Sequence, residues 1–300
     1  MIKTARRERR EAEGTVMQQT TLHFSEAENN YQIKEAYKTL RSNVEFSGQD
    51  VRAISVTSCT PGEGKSSVSM ALARAFAEAG KKTVLVDADM RKSVMVGRYK
   101  TGSVRLGLTH CLVGREKLSN VICETDTPNL YVVFSGPIPP NPSELLGGEI
   151  FSKILDNMKT VFDYIIVDTP PLGNVIDAAV IAKQCDGTIM VVEDNAISYR
   201  FAQKVKGQLD KAGAKVIGAV LNKVDMTGGV YGHYGKYYGK YYGKYYGKYY
   251  GKDNGEASEK GGSAKKDKAQ SGMNRPMPRR TPANNDLDEL DYIEGVIRKD

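Results

Sequence analysis

The sequence predicts an α/β fold: a mostly parallel sheet with helices on both faces, followed by a disordered C-terminal tail. Three observations carry that expectation. Short apolar runs rich in β-branched residues recur from about Arg52 to Asp225 and alternate with helix-like segments, the pattern of parallel strands joined by crossover helices. One of these runs, starting at Val51, passes through a glycine-rich turn directly into an Ala-rich stretch. Beyond Met226 aliphatic residues thin out and a Tyr-Tyr-Gly-Lys repeat takes over, which offers no material for a core.

Residues 1–24 are expected to be a mobile, basic N-terminal segment. Met1 to Glu13 is charged throughout and lacks the apolar region of a signal peptide, and no later run approaches the ~18 apolar residues of a membrane span. Residues 25–50 read as a helical segment, with Ile33, Tyr37, Leu40 and Val44 on one face. On another face Glu35, Lys38 and Arg41 recur every third residue. That stripe is either a solvated charged surface or a polar interface with another subunit.

Residues 51–228 form the expected folded domain. It begins with V-R-A-I-S-V-T-S-C-T-P-G-E-G-K-S-S, Val51 to Ser67. Here a strand leads into Pro61, Gly62, Glu63, Gly64, Lys65, Ser66 and Ser67, which read as a nucleotide-phosphate cradle. Glycines let the backbone N–H groups point inward, the following helix adds positive charge at its N-terminus, Lys65 reaches β/γ-phosphate oxygens and the Ser66 hydroxyl can ligate Mg²⁺. Cys59 stands where the strict G-x-x-x-x-G-K-[ST] pattern has its first glycine. The alternative is a plain glycine-rich turn capping an ordinary helix. The fold is therefore expected to be P-loop NTPase-like.

The helix from Ser66 to Ala79 should stop at Gly80-Lys81-Lys82. Thr83 to Lys92, T-V-L-V-D-A-D-M-R-K, then gives a buried strand ending in Asp87 and Asp89. Those carboxylates face the same way if strand geometry persists, and two like charges on one face call for a cation. Leu130 to Phe134 is a further short strand. In S-G-P-I-P-P-N-P-S-E-L-L, Ser143 is placed as the cap of a helix running towards Thr160. V-F-D-Y-I-I-V-D-T-P-P ends its apolar run at Asp168, the carboxylate expected to hold Mg²⁺ through water. Thr188 to Val192 and Val216 to Leu221 supply two more strands, with a helix over Ser198 to Lys211 between them. In open α/β sheets ligands sit at the carboxyl ends of the strands, where Lys65, Asp87, Asp89 and Asp168 gather. Taken singly, each Asp is equally readable as a helix cap or loop residue.

The remaining chemistry is limited. Four cysteines, Cys59, Cys111, Cys123 and Cys185, form no C-x-x-C pair, and three histidines have no metal spacing; a reducing cytoplasm suits them. The net charge of +7 comes from lysines in the tail and basic residues among the first ten rather than from a nucleic-acid reading helix, so no nucleic-acid partner is expected. Residues 229–252 form a flexible leash of ten tyrosines: Tyr231, Tyr234, Tyr237, Tyr238, Tyr241, Tyr242, Tyr245, Tyr246, Tyr249 and Tyr250. Interleaved aromatics and cations also suit single-stranded nucleic acid, but behind a phosphate loop they read as substrate.

At this point the sequence resembles the bacterial tyrosine kinases, specifically the cytoplasmic half of the two-component kinases of capsular and exopolysaccharide synthesis. T-P-G-E-G-K-S-S, V-L-V-D-A-D-M-R-K, P-P-N-P-S-E-L-L, Y-I-I-V-D-T-P-P and the tyrosine cluster carry the resemblance over roughly Ser25 to Lys252. It implies ATP-dependent autophosphorylation of the tyrosine cluster, with ATP and Mg²⁺ as cofactors. It makes Lys65 the phosphate lysine, Ser66 a Mg²⁺ ligand, Asp87 and Asp89 the second acidic motif and Asp168 the third. Either Asp87 or Asp89 takes the tyrosine proton; spacing does not separate them. The resemblance also implies a ring of subunits when unphosphorylated, joined through an E-x-x-R-x-x-R helix that reads Glu35, Lys38 and Arg41 here. Lys38 replaces the planar fork of an arginine. Further implied are a separate transmembrane activator and polysaccharide co-polymerase, which places the chain at the inner face of the cell membrane, and a cognate phosphotyrosine phosphatase. Ser93 stands where the family often has proline. Residues 253–300 depart from the pattern: a polar, disordered extension with a short terminal helix suggested by Leu287, Leu290, Ile293 and Val296. The competing function is an ATP-switched partitioning ATPase, but that group has a signature lysine where Thr60 stands and no tyrosine array.

Overall fold

The computed structural model describes residues 31–98 and 106–224, which belong to a compact unit ending at Val224. The expected basic segment 1–24, the start of the helical segment 25–50, the tail 229–252 with its ten tyrosines and the extension 253–300 lie outside the described residues. Helix α1, Tyr31–Phe46, comes first and turns its apolar stripe onto α2, Lys65–Glu78; Val44 is buried, and Tyr37 and Leu40 pack beside it.

Seven strands form one sheet: β1 Ala53–Ser58, β2 Thr83–Asp87, β3 Ile122–Glu124, β4 Leu130–Val133, β5 Tyr164–Asp168, β6 Gly187–Glu193 and β7 Val216–Asn222. Their spatial order is β3-β4-β2-β5-β1-β6-β7, and every pairing is parallel except β3 with β4. The middle strands are buried along almost their whole length because both of their faces are covered. On one face β1, β2 and β5 pack with α2 around Ile54, Val56, Phe76, Leu85 and Ile166. On the other, Ala53, Val84, Val86, Ile165 and Val167 meet Phe151, Leu155 and Met158 of helix α6, Glu149–Val161.

Four short helices complete the layers: α3 Met95–Arg98, α4 Leu108–Leu112, α5 Pro142–Gly147 and α7 Asp177–Ala182. Helix α8, Tyr199–Lys211, is capped by Ser198, whose hydroxyl accepts from the Phe201 N–H. Two expectations need correction. The helix placed from Ser143 towards Thr160 is two helices broken at Gly148, and its cap position is Asn141, because Pro142 takes the first helical position and needs no donor there. Strand geometry also stops at Asp87. Asp89 therefore reaches the site from a turn in which its own N–H donates to Asp87 Oδ1 at 3.2 Å, not from the next same-face position of a strand.

Candidate active site

The register puts Asp168 beside both Val56 of β1 and Asp87 of β2, so the carboxyl ends of the three central strands open side by side. The loop after β1 turns through Gly62 and Gly64, both at φ 91°, before α2 begins. Gly64 occupies the cap position with no side-chain cap, so the first-turn N–H groups of α2 face outward with the helix's positive end. A Cβ on Gly62 would meet nothing within 4 Å, whereas one on Gly64 would lie 2.2 Å from Asn222 Nδ2. The glycines thus serve different ends: backbone reversal at the first, reversal plus close approach at the second.

Glu63 plays a part that sequence spacing does not reveal. It is 1 % exposed, and its carboxylate accepts from Thr60 N–H, from Thr60 Oγ1 at 2.7 Å and from Glu193 N–H at 3.2 Å. Asn222 Nδ2 donates to the Glu63 carbonyl at 2.8 Å, and Lys223 pairs with Glu193 at 2.8 Å. The side chain of Glu63 therefore braces the loop against the ends of β6 and β7, which leaves its backbone N–H for the cradle. Thr60 is bound into this brace.

Beneath the loop, Lys65 Nζ lies 3.2 Å from Asp89 Oδ2 and 3.6 Å from Asp168 Oδ2, and donates to Ser66 Oγ at 3.1 Å. Ser69 donates to Asp168 Oδ1 at 3.1 Å. Asp87 accepts from Ser93, and Lys92 N–H donates to Asp89 Oδ1 at 3.0 Å. Burial first and the Asp168 charge second push the Asp87 carboxyl up to about 7. Burial raises Asp168 as well, although Lys65, Ser66 and Ser69 oppose it. Burial alone would lower the Lys65 ammonium, but Asp168 and Asp89 more than offset that and hold it above its usual value. A single lysine thus faces three nearly buried carboxylates, an excess of negative charge at one point.

Among the described residues no three His, Cys, Asp or Glu side chains converge as a ready-made metal cage. Mg²⁺ asks for less, since it keeps waters and takes one or two carboxylates together with substrate phosphates. The hydroxyl of Ser66 and the carboxylates of Asp87, Asp89 and Asp168 are hard oxygen donors of that kind, and their unbalanced charge fits a divalent cation.

The structure thus brings together Lys65, Ser66, Asp87, Asp89 and Asp168, with Pro61 to Ser67 around them. The charged stripe of α1 lies apart from this cluster. Lys38 donates to Glu35 at 2.7 Å, while Arg41 Nε, 4.0 Å from Glu45, is buried without a hydrogen bond. The tail tyrosines lie outside the described residues. Sequence reasoning missed Asn222, Arg91 and Asp177. Arg91 pairs with Asp177 at 2.7 Å, and an acidic residue in a helix's first turn reads from sequence only as a favourable charge.

Comparison with known proteins agrees with this geometry. Residues 51–212 match the family described as AAA domain. The tyrosine-protein kinase CpsD of Streptococcus agalactiae is 46% identical over 205 residues, covering 68% of this chain and 89% of that protein. Among solved structures, the kinase domain of the Escherichia coli tyrosine kinase ETK aligns with a TM-score of 0.64 and 29% identity, over 68% of this chain and 82% of that one. The chimerical protein CapA2B2 aligns with a TM-score of 0.62 and 34% identity, over 68% and 92%. With nearly half of the aligned residues identical to those of a tyrosine-protein kinase, over two thirds of this chain and most of that protein, the chain belongs to the bacterial tyrosine-protein kinases.

Proposed function

We infer that this kinase transfers the γ-phosphoryl group of ATP to tyrosines of its own tail, Tyr231 to Tyr250, presented by a neighbouring copy. The observation that carries the reading is Lys65. Its ammonium sits between Asp89 and Asp168 beneath a braced glycine loop, in a chain that continues into ten closely spaced tyrosines. In the transfer, the tyrosine oxygen bonds to the γ-phosphorus and the bond to the β,γ-bridging oxygen breaks. ADP leaves with that electron pair, and the phenolic proton passes to a carboxylate. We assign that role to Asp87: Asp89 and Asp168 are the carboxylates paired with Lys65, and burial raises the Asp87 carboxyl towards the neutral range. Lys65 and the loop N–H groups hold the phosphates in line. Ser66, Asp89 and Asp168, with Asp87 beside them, are the residues that would hold Mg²⁺, which when bound offsets charge on the β- and γ-phosphate oxygens.

The kinase domain in this reading is 51–228, the oligomerisation segment 25–50 and the acceptor tail 229–252. Glu35, Lys38 and Arg41 form a subunit interface in the unphosphorylated ring. Each phosphate adds about −1.5 to −2 charge at pH 7, so repulsion between modified tails separates the ring, and a phosphotyrosine phosphatase resets it. A transmembrane polysaccharide co-polymerase is the proposed activator, and capsular or extracellular polysaccharide synthesis the process regulated. The name CapA2B2 joins an A and a B component, which supports a two-chain system. No described helix is long and apolar enough to cross a membrane, so the activator is assigned the membrane attachment.

Mass spectrometry of the full chain after incubation with ATP and Mg²⁺, beside Lys65→Met, tests the reading. Phosphate on Tyr231 to Tyr250 in the parent alone is the expected result. Steady phosphate release with no phosphotyrosine would replace it with the partitioning-type ATPase.

A further inference from the structure

The turn that carries Asp89 is folded largely on its own carboxylates. Asp89 N–H donates to Asp87, Lys92 N–H to Asp89, and Ser93 Oγ to Asp87. Such bonds keep the carboxylates in register with the local backbone, but they do not fix that backbone relative to the phosphate loop. The Ala88 N–H, which donates to the Asp168 carbonyl at 2.8 Å, and the Lys65–Asp89 pair tie the turn to β5 and to the loop lysine, and Arg91 adds a connection to two helices. Its Nε donates to Asp177 Oδ2 at 2.7 Å and its Nη2 to Asp177 Oδ1 at 3.0 Å, a bidentate fork. The same Nη2 donates to Ser143 Oγ at 3.2 Å, and Ser143 in turn donates to Asp177 Oδ1 at 2.5 Å. The acidic turn, the first turn of α5 and the first turn of α7 are thereby joined at one point.

The geometry of the joint is that of a built contact. Asp177 is 1 % exposed, and its carboxylate is matched by a planar guanidinium and a hydroxyl. Burial pushes Asp177 up, but the bonds from Arg91 and Ser143 outweigh it and the carboxyl stays below its usual value, so the pair is charged at neutral pH. We propose that Arg91, clamped by Asp177 and Ser143, is a positioning residue that sets where Asp87 and Asp89 present their oxygens to Mg²⁺ and to the acceptor hydroxyl. This rests on the reading of those two carboxylates as transfer machinery. The phosphate loop takes no part in the clamp, being braced through Glu63 and Asn222 instead. Loss of the clamp therefore separates two properties that a general loss of stability would move together: nucleotide binding and its dependence on Mg²⁺.

The experiment uses the full chain and a fluorescent ADP analogue titrated with and without Mg²⁺, together with the rate of phosphotyrosine formation. In Arg91→Met the Mg²⁺-free ADP affinity should stay within about threefold of the parent, while the Mg²⁺ needed for half-maximal tightening rises about 10-fold and kcat falls about 10–100-fold, the usual range for residues that orient metal ligands. Arg91→Met strands a buried carboxylate and lowers thermal stability. The double variant Arg91→Met/Asp177→Asn removes that charge, and should recover stability without recovering the Mg²⁺ dependence. A double variant that recovers both, or an Arg91→Met chain with the parent's Mg²⁺ dependence, would overturn the proposal. Asp89→Asn separates this failure from the other: if it keeps the parent's Mg²⁺ dependence and kcat, the underlying assignment of the carboxylates falls instead.

Discussion

The two halves of the site, one on the loop after β1 and one at the ends of β2 and β5, are stabilised in opposite ways. The loop is satisfied internally. Glu63 takes three donors, Asn222 takes the Glu63 carbonyl, and both glycines already hold the backbone reversal that an anion requires. The acidic half is in electrostatic conflict, with Asp87, Asp89 and Asp168 all nearly buried around one ammonium. Binding phosphate to the first half therefore needs little rearrangement, whereas the second becomes balanced only when more positive charge arrives. Preorganisation and stored repulsion stand side by side, and a chain that carries both spends stability where it needs metal affinity.

Asp168→Asn attacks the repulsive half and should give the largest functional effect. Transfer should fall about 10²-fold or more with the loss of an oxygen proposed to hold Mg²⁺. Thermal stability of the nucleotide-free chain should change by less than about 1 kcal/mol, because asparagine still accepts from Ser69 and the lost attraction of Lys65 is offset by relief of the cost of burying a charge, with the weaker repulsion from Asp89 a smaller part. A large drop in melting temperature would break the comparison by showing the carboxylate to be a net stabiliser.

Glu63→Ala attacks the braced half and should do the reverse. It leaves the part-buried N–H groups of Thr60 and Glu193 without their acceptor, at a cost of about 1–2 kcal/mol in stability by denaturant titration. The chemistry of Lys65 is untouched, so loss of transfer beyond the loss of nucleotide affinity would show that the brace is part of the reacting site.

The smallest expected effect comes from the amino end of the central strands, opposite the site, and supplies a control. Burial raises Asp186, but the N–H groups of Ala53 and Arg52 and the Lys159 ammonium outweigh it, and the carboxyl ends below its usual 3.8. A carboxyl depressed on folding contributes stability above its unfolded value and loses it as pH falls through the folded value. Asp186→Asn should therefore lower stability by an even amount across pH 6–8, leaving the slope there unchanged, and flatten the decline below about pH 4. Equal flattening at neutral pH would place the titration elsewhere.

Legibility in the sequence followed range. The glycine loop, the Ala-rich helix and the strand ending at Asp168 are local patterns, and all stand where the pattern puts them. Ser143 was misplaced as a cap because hydroxyls favour that role, while the contact that occupies it, Asp177, lies in another helix. Asp89 was read as part of a strand because alternation does not report where a strand stops. Strand β3 is only three residues, too short to show a period, and α7 is an Ala-rich six-residue piece of the same kind. The bonds from Glu63 to Glu193 and from Arg91 to Asp177 join distant parts of the chain, and no spacing rule encodes them.

The strand order also imposes a timetable. The strand that leads into the phosphate loop is flanked by β5 and β6, with Ala53 opposite Ile165 and Ile54 opposite Gly187. Both neighbours are made more than about 100 residues later. At about 5–20 residues per second, a ribosome leaves Ile54 and Val56 without their sheet for roughly ten seconds. The most functionally committed strand of the kinase is the one that waits longest for its partners, so the nascent chain is open to chaperone capture or misassociation until the second half of the sheet has been translated.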